Sequence, residues 1–242
     1  MEKEINNLPT FFLWTFLDGV KIFISWTPTM AVVLFHRILF PEKTLAEVFK
    51  GIFAEKLNVR LFFAVIVMEV VINYIASLVT ALFDQVSVMS QWSFSWDFFA
   101  YSFFLCLFTG ATGEESGWHG FLFPHLMEKY DCVKSSVIVG IIWGLWHIPL
   151  WLISGYQGLG LLLYVVQFMI CTIAWSLVMD ILYYWNRNLI IVTTFHFFVN
   201  FLLSFFCGND LVFQITIAVL YVITAIVFIV IYKNYLSKRE AN

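Results

Sequence analysis

Long apolar runs alternate with short polar connections along almost the whole chain. The runs lie near residues 10–26, 28–41, 61–83, 96–127, 133–153, 160–184, 189–206 and 211–232. Most of them approach or exceed about 20 residues, the length that an α-helix needs to cross the hydrocarbon core of a bilayer. The pattern predicts an all-α polytopic membrane protein: a bundle of about eight transmembrane helices forming a single integral membrane domain over residues 1–242.

The first two runs leave the number of spans open. Asp18 and Lys21 interrupt the first run, and Pro28 separates it from the second. Because proline disrupts a helix interior, the two runs form either one broken span or a short hairpin, and seven is the alternative count. Residues 1–7 lead into the first run without a small-residue cleavage site, so we expect a mature N-terminus and not a signal peptide.

Composition excludes a soluble domain. The chain is 62% hydrophobic and 12% charged, with 20% aromatic residues, and its mean hydropathy is +0.88. Continuous apolar runs indicate helices, because an outer-membrane barrel has short alternating segments. The four cysteines are scattered without a CxxC pair, so they predict neither a zinc cluster nor a disulfide framework.

Basic residues predict the orientation. They gather in alternate connections, at Arg37, Lys43, Lys50, Lys56, Arg60, Lys129, Lys134, Arg187, Lys233, Lys238 and Arg239. The opposite connections, 84–96, 154–159 and 207–210, contain no lysine or arginine. Since such residues favour the cytoplasmic side, we expect a cytoplasmic C-terminus. The compact loops favour a bacterial plasma membrane, and residues 42–60 are expected to form an amphipathic helix on its inner surface.

Five polar residues interrupt three of the most apolar runs. They are Glu114 and Glu115 in one run, His147 in the next, and His196 with Asn200 in a third. Each costs several kcal/mol in a bilayer unless it finds a partner. Carboxylates, imidazoles and a carboxamide are also the groups that activate water and stabilise an oxyanion. We therefore predict a buried polar site within the bilayer.

Helix geometry predicts that these residues meet. At about 1.5 Å of rise per residue, they lie roughly 11 to 21 Å from the cytoplasmic ends of their helices. Gly113 and Gly117 flank the first glutamate, and Gly140 and Gly144 precede the histidine of the next run. Small residues mark the faces where helices approach closely. Three helices are thus expected to converge on one polar pocket.

Three sequence blocks resemble a known family. They are GEESGWHGFLFPHL at 113–126, WGLWHIPLW at 143–151 and HFFVN at 196–200. In this order they resemble the CPBP family of intramembrane proteases, which includes the CAAX prenyl endopeptidases and many bacterial Abi-type proteins. The resemblance covers roughly 96–206. The first 60 residues and the last helix match only in hydropathy.

The resemblance implies a division of labour among the site residues. Glu114 would be the general base that activates a water, and His147 would be its partner. His196 and Asn200 would stabilise the oxyanion of the tetrahedral intermediate. Donors held by helices suit this role, because they need no reorganisation as negative charge develops.

Two further residues are expected to support the site. Glu115 points about 100° away from Glu114 around a helix, and we expect it to hydrogen-bond to His119 four residues on. The family's EExxxR pattern has arginine where this chain has His119. Because histidine carries a charge only when protonated, the departure predicts activity that changes across about pH 5 to 8.

A metal-dependent site is the alternative. Glu114, His147 and His196 could form a three-ligand catalytic zinc site. There is no HExxH run to favour this set. The HxxxN pair is more typical of an oxyanion site than of a ligand pair, so the preferred interpretation requires no cofactor.

Other intramembrane polar residues have simpler interpretations. Glu69 and Asp180 lie close enough to predicted helix ends to be solvated, with a water path to the pocket as the alternative. Trp118, Trp143 and Trp146 are expected to serve packing, with substrate contact as the alternative.

The sequence therefore predicts an intramembrane endopeptidase. Its substrate would be a membrane-associated or prenylated peptide or protein, and its partners would include the lipid bilayer but no nucleic acid. The alternative is a bacteriocin immunity or interaction protein that retains the protease fold with little or no catalysis. A small transporter with a proton relay is a third interpretation, against which the lack of a detectable inverted repeat counts.

Overall fold

The structure, a computed structural model, describes residues 8–240, with side chains described from 17 to 238. Within this range every regular element is helical, apart from one antiparallel bridge between Trp92 and Phe206. The helices are α1 (Leu8–Ser25), α2 (Thr27–Leu39), α3 (Leu45–Gly51), α4 (Val59–Asp84), α5 (Trp96–Cys106), α6 (Glu115–Gly117), α7 (Phe123–Leu126), α8 (Cys132–Trp146), α9 (Ile148–Leu152), α10 (Gly158–Trp185), α11 (Leu189–Leu203) and α12 (Asp210–Glu240). The expectation for residues 1–7 lies outside the described residues.

The prediction of an all-α polytopic membrane protein is confirmed. Each of the eight predicted runs is helical, although their lengths differ. Within residues 8–240, three helices are long and apolar enough to cross a membrane: α4, α10 and the stretch Asp210–Lys238 of α12. Helices α8 and α11 are apolar but have only 15 residues each. The protein is thus an integral membrane protein that combines full-length spans with shorter helices.

The first two runs form a bent pair. The stretches Leu17–Ser25 and Thr27–Leu39 meet at an angle of 45° and would make a fourth span if counted together. Pro28 lies in the first turn of α2, where its missing N–H is tolerated and the preceding helix must end. Length and composition allow this pair to be a broken span or a re-entrant loop, so both predicted arrangements stay predictions.

The run at 96–127 is not one helix, and this corrects the prediction. Helix α5 ends at Cys106, and Thr109 and Gly110 have non-helical backbone angles, with Gly110 at φ 73°. Residues 107–111 and 118–122 form wide π-type turns on either side of α6. The depth predicted for Glu114 assumed an uninterrupted helix, so it does not apply.

Side chains compensate the backbone groups that this break releases. The Thr109 hydroxyl donates to Leu105 O at 2.6 Å, and the Thr112 hydroxyl donates to Leu107 O at 2.6 Å. The indole N–H of Trp26, at the bend between α1 and α2, donates to Phe108 O at 2.9 Å. Irregular backbone is tolerated inside a bilayer when protein groups satisfy it in this way.

Helices α8 and α10 pack closely because glycine lies between them. A Cβ added to Gly140 would stand 2.6 Å from the Cα of Ile173, and one added to Gly144 would stand 2.5 Å from the sulfur of Met169. The Ser176 hydroxyl on α10 also lies 2.9 Å from Ser136 O on α8. The predicted role of these glycines as close-packing positions is confirmed.

We expect Gly140→Ala to destabilise this contact by about 1 to 3 kcal/mol, because the new methyl group meets backbone that cannot move aside. Gly160→Ala is the matched control, since its Cβ would have Tyr156 Cδ1 at 3.8 Å as its nearest neighbour. Thermal unfolding in detergent measures both variants. Equal midpoints for the two would contradict the packing argument.

The three connections without basic residues lie together at one end of the bundle. Cys207 N donates to Gln91 O at 2.8 Å, the Asn209 amide donates to Asp84 at 3.0 Å, and the Tyr156 hydroxyl donates to Asp210 at 3.1 Å. The charge pattern predicts that these connections share one side of the membrane, and the contacts place them at the same end.

The segment at 42–60 is helical over a shorter stretch than predicted. Helix α3 has seven residues and begins with a capping box between Thr44 and Glu47. The chain after it is held by the turn before α11, where the Asn188 amide donates to Glu55 O at 2.9 Å and Leu189 N donates to Ile52 O at 3.1 Å. Backbone anchoring to α11 replaces the second half of the predicted surface helix.

Candidate active site

The break after α5 places two adjacent glutamates inside the bundle. Glu114 is 3% exposed and Glu115 is 0% exposed. Gly113, just before them, packs against Ser25 and Trp26, and Gly117, just after them, packs against Pro28. The short helix α6 is therefore pressed against the bend between α1 and α2, which fixes both carboxylates.

Trp143 lies at the centre of the polar cluster. Its indole N–H donates to Glu114 Oε2 at 2.7 Å. Its ring contacts three imidazoles, those of His196, His119 and His147, at centroid distances of 5.2, 5.8 and 6.0 Å. The sequence predicts packing for Trp143, with substrate contact as the alternative. The structure adds a hydrogen bond to the predicted general base, a role that an indole can fill through its one N–H.

His147 caps the end of α8. Its Nδ1 lies 2.8 Å from Trp143 O, and because a carbonyl can only accept, Nδ1 carries the hydrogen. In the neutral ring Nε2 is then the atom with the lone pair. The ring packs against Trp146 and Phe168 at 4.8 and 4.9 Å. Glu114 and His147 are thus linked through Trp143, to which both hydrogen-bond.

The second glutamate connects two histidines. Glu115 Oε1 accepts a hydrogen bond from His196 Nδ1. Its other oxygen, Oε2, lies 3.6 Å from His119 Nε2, a distance for charge attraction and too long for a hydrogen bond. The predicted contact with His119 therefore exists as a longer ion pair, and the closer partner of Glu115 is His196.

A third carboxylate completes this chain of contacts. His119 Nδ1 donates to Asp180 Oδ1 at 2.7 Å, and both side chains are fully buried. The sequence predicts that Asp180 is solvated near a helix end, and the structure corrects this: it faces the bundle interior from α10. The sequence shows Asp180 as a single carboxylate in an apolar run. It does not show the partner, because His119 lies 61 residues away along the chain.

Gly110 lies opposite the two predicted oxyanion donors. A Cβ at this position would be 2.9 Å from His196 Nε2 and 3.0 Å from Asn200 Nδ2. Both side chains project from α11 one turn apart and face the backbone break. Only the absence of a side chain at Gly110 lets the backbone approach these two atoms so closely.

The structure therefore brings most of the predicted residues together. Trp143 contacts Glu114, His119, His147 and His196, and Glu115 lies between His196 and His119. Asn200 adjoins His196 at the break, and His147 is half-buried. Sequence reasoning missed Gly110 and Asp180. Glycine in an apolar run indicates a packing residue, and the partner of a buried carboxylate cannot be identified from spacing alone.

Glu114, His147 and His196 are the candidate ligands of the alternative zinc site. In the part of the chain that the structure describes, no group of three or more histidine, cysteine, aspartate or glutamate side chains is placed to hold a metal ion. Glu114, His147 and His196 thus do not form a ligand cluster in this arrangement. The Trp143 ring contacts both histidines.

An apolar groove lies between the bent helix pair and the segment that follows the two glutamates. Its volume is about 260 Å³, and it lies between α2 and the wide turn after α6. Pro28, Val32 and Phe35 form one wall, and Gly117, Trp118 and Leu122 form the other. Trp118 packs against Trp146 at 6.1 Å, next to His147. The groove therefore ends beside the polar cluster.

Comparison with known proteins identifies the segment that carries the site. Residues 95–202 match the family model described as Type II CAAX prenyl endopeptidase Rce1-like. Over this segment the chain is similar to the Rce1-like family. The match agrees with the resemblance predicted for roughly 96–206, and all of the predicted site residues lie within it.

A curated relative supports the match to the Rce1-like segment. The protein named CAAX prenyl protease 2 from Methanococcus maripaludis is 31% identical over 122 residues, which cover 48% of this chain and 44% of the relative. The chain thus matches less than half of that relative's length. Helices α1 to α4 and α12 lie outside the Rce1-like segment.

Proposed function

We propose that this protein is an intramembrane endopeptidase that hydrolyses a peptide bond of a membrane-associated or prenylated peptide. The observation that carries the proposal is the break at Gly110, against which His196 Nε2 and Asn200 Nδ2 pack closely. Glu114 lies four residues along from Gly110, with its orientation held by Trp143. A base and two oxyanion donors gathered at one backbone break are what acyl hydrolysis requires.

In the proposed first step, Glu114 Oε1 takes a proton from water while the water oxygen bonds to the substrate carbonyl carbon. Trp143 N–H holds the other carboxylate oxygen at 2.7 Å, so the base cannot rotate away. His147 Nε2 accepts the second hydrogen of the water through its lone pair and orients the attack. Positioning of this kind accounts for a large part of enzymatic acceleration.

The negative charge then moves to the carbonyl oxygen. His196 Nε2 and Asn200 Nδ2 donate to it, with His196 in its charged form and Glu115 as its carboxylate partner. When the C–N bond breaks, the leaving amine takes the proton from Glu114. The products are a carboxylic acid and an amine, and Glu114 returns to its carboxylate form.

The apolar groove supports a lipid-bearing substrate. Its walls between α2 and the wide turn carry mostly aliphatic and aromatic side chains, and one end adjoins Trp118 beside the site. A lipid chain of the substrate would bury apolar surface there, which stabilises binding by about 25 cal/mol per Å². The peptide part would then reach the break at Gly110.

Charge supports the proposed placement in a bacterial plasma membrane with a cytoplasmic C-terminus. The end of the bundle where Gln91, Asn209 and Tyr156 make their inter-loop contacts is the end without lysine or arginine in its connections. Basic residues favour the opposite, cytoplasmic side. Labelling of single cysteines introduced at these two ends of intact cells tests this orientation.

The activity is tested by incubating purified protein in nanodiscs with a pool of short membrane-associated peptides, each with and without a prenyl group. We expect mass spectrometry to find one new peptide terminus, with prenylated peptides cleaved faster. A folded preparation that cleaves nothing but protects cells against a peptide toxin would overturn the proposal and favour the immunity role.

Metal dependence is tested in the same preparation. We propose that Glu114 activates the water without a metal, and we expect cleavage to survive exhaustive chelation with no metal detected in the protein. Loss of cleavage on chelation, with recovery on adding zinc alone, would reassign Glu114, His147 and His196 as metal ligands.

A further inference from the structure

Asp180 is a buried carboxylate for which the proposed reaction has no direct use. It lies on α10, fully buried in the bundle. A carboxylate in such a place costs several kcal/mol unless it is paired and hydrogen-bonded. Its two oxygens have different partners: Oδ1 accepts from His119 at 2.7 Å, and Oδ2 lies 3.1 Å from the Ser176 hydroxyl.

His119 connects Asp180 to the second glutamate. The imidazole has Asp180 at Nδ1 and Glu115 Oε2 at 3.6 Å from Nε2. Two carboxylates on opposite sides of the ring fix the direction in which the ring plane points. The Trp143 ring meets it edge-on, with an interplanar angle of 90°, and prevents it from tilting.

Glu115 connects His119 to His196, the proposed oxyanion donor. One of its oxygens faces His119, and the other accepts from His196 Nδ1. A displacement of His119 therefore turns the carboxylate plane of Glu115 and moves the His196 ring. His196 Nε2 lies against the break at Gly110 and is a proposed oxyanion donor. A shift of about 1 Å there changes the distance to the developing oxyanion, and misplacement on this scale can cost about 10²-fold in rate.

We propose that Asp180 is a positioning residue that sets the orientation of His196 through His119 and Glu115. The proposal rests on the proposed function, since it names a residue that prepares the same oxyanion site. Asp180 itself touches neither substrate nor reacting atoms. The charged or titratable groups around His119 are Glu114 and Glu115 from the α6 region, Asp180 from α10 and His196 from α11.

The chain also contains a matched carboxylate outside this series of contacts. Glu69 on α4 is fully buried like Asp180, and it accepts a hydrogen bond from the Tyr221 hydroxyl on α12. Its partner is a phenol that belongs to no part of the proposed site. Glu69→Gln and Asp180→Asn thus each replace one buried carboxyl group with an amide of similar shape.

The first experiment measures kcat and KM for peptide cleavage in both variants. We expect Asp180→Asn to lower kcat about 10- to 100-fold with KM within about twofold, because the substrate still binds while the oxyanion donor is misplaced. Glu69→Gln should leave both constants within about twofold of the wild type. Equal losses in the two variants would overturn the proposal, because burial alone would then explain the effect.

A double variant shows whether Asp180 acts through Glu115 or independently of it. If Asp180 acts through Glu115, then adding Asp180→Asn to Glu115→Gln should change kcat by less than about threefold, since the path is already broken. If the two losses multiply, Asp180 does not act through Glu115 and the inference is wrong.

A spectroscopic measurement tests the inference without catalysis. The ring ¹⁵N resonances of His196, assigned by their loss in His196→Ala, should shift in Asp180→Asn and stay unchanged in Glu69→Gln. Unchanged His196 resonances in Asp180→Asn would overturn the positioning role. Absence of cleavage by the folded wild type, in contrast, would overturn the proposed function, and the resonances would then decide alone whether Asp180 positions His196.

Discussion

Replacing Glu114 with glutamine is expected to lower kcat for peptide cleavage about 10²- to 10⁴-fold, the range that a positioned general base contributes. Glutamine keeps the size of the side chain and retains an oxygen that can accept from Trp143 N–H, which now lies 2.7 Å from Glu114 Oε2. It cannot take a proton from water. The variant therefore removes the chemistry while preserving the packing around Trp143.

The controls for Glu114→Gln distinguish lost chemistry from lost structure. Glu69→Gln also removes a buried carboxylate and should retain wild-type kcat, since Glu69 hydrogen-bonds to Tyr221 away from the site. The thermal unfolding midpoint of Glu114→Gln should lie close to that of the wild type. Full activity in a folded Glu114→Gln preparation would remove this residue from the role of base and with it the mechanism.

Gly110→Ala is expected to lower kcat about 10²- to 10³-fold, the loss seen when an oxyanion donor is removed. The new methyl group would stand 2.9 Å from His196 Nε2 and 3.0 Å from Asn200 Nδ2, and it would push both donors out of position. Gly110 also has φ 73°, so any side chain adds backbone strain. The same kinetic assay measures the effect.

Gly155→Ala is the matched control for Gly110→Ala. Gly155 has φ 83°, a comparable backbone demand, but a Cβ there would have no heavy atom within 4 Å. Backbone strain alone would therefore lower kcat in both variants, whereas displacement of His196 and Asn200 would lower it only in Gly110→Ala. A similar loss of kcat in the two variants would contradict the role proposed for these two donors.

The sequence predicts which helices meet but not how one of them is broken. The apolar runs indicate the helices, and the glycines at 113, 117, 140 and 144 indicate the faces where helices approach closely. Both signals can be read from residues that are near one another in the sequence. The break at Thr109 and Gly110 depends on partners elsewhere in the chain. The Trp26 indole that satisfies Phe108 O lies 82 residues away, and no local pattern indicates that contact.

The same distinction explains which site residues could be found. Glu114, His147 and His196 are conspicuous because each interrupts an apolar run. Asp180 also interrupts one, but a count of residues places it near a solvated helix end. Only the packing of α10 against the turn after α6, which brings His119 to Asp180, shows that it is buried.

Residues at the bend between α1 and α2 support the candidate active site from outside the segment that matches the family model. Trp26 satisfies the broken backbone at Phe108, and Ser25 and Pro28 form the surface on which Gly113 and Gly117 rest. Trp26, Ser25 and Pro28 all lie outside residues 95–202, the segment shared with known proteases. The residues that hold the site in place therefore extend beyond the segment of sequence similarity. A fragment trimmed to the shared segment would keep every proposed catalytic side chain and lose the scaffold that holds the two glutamates in place.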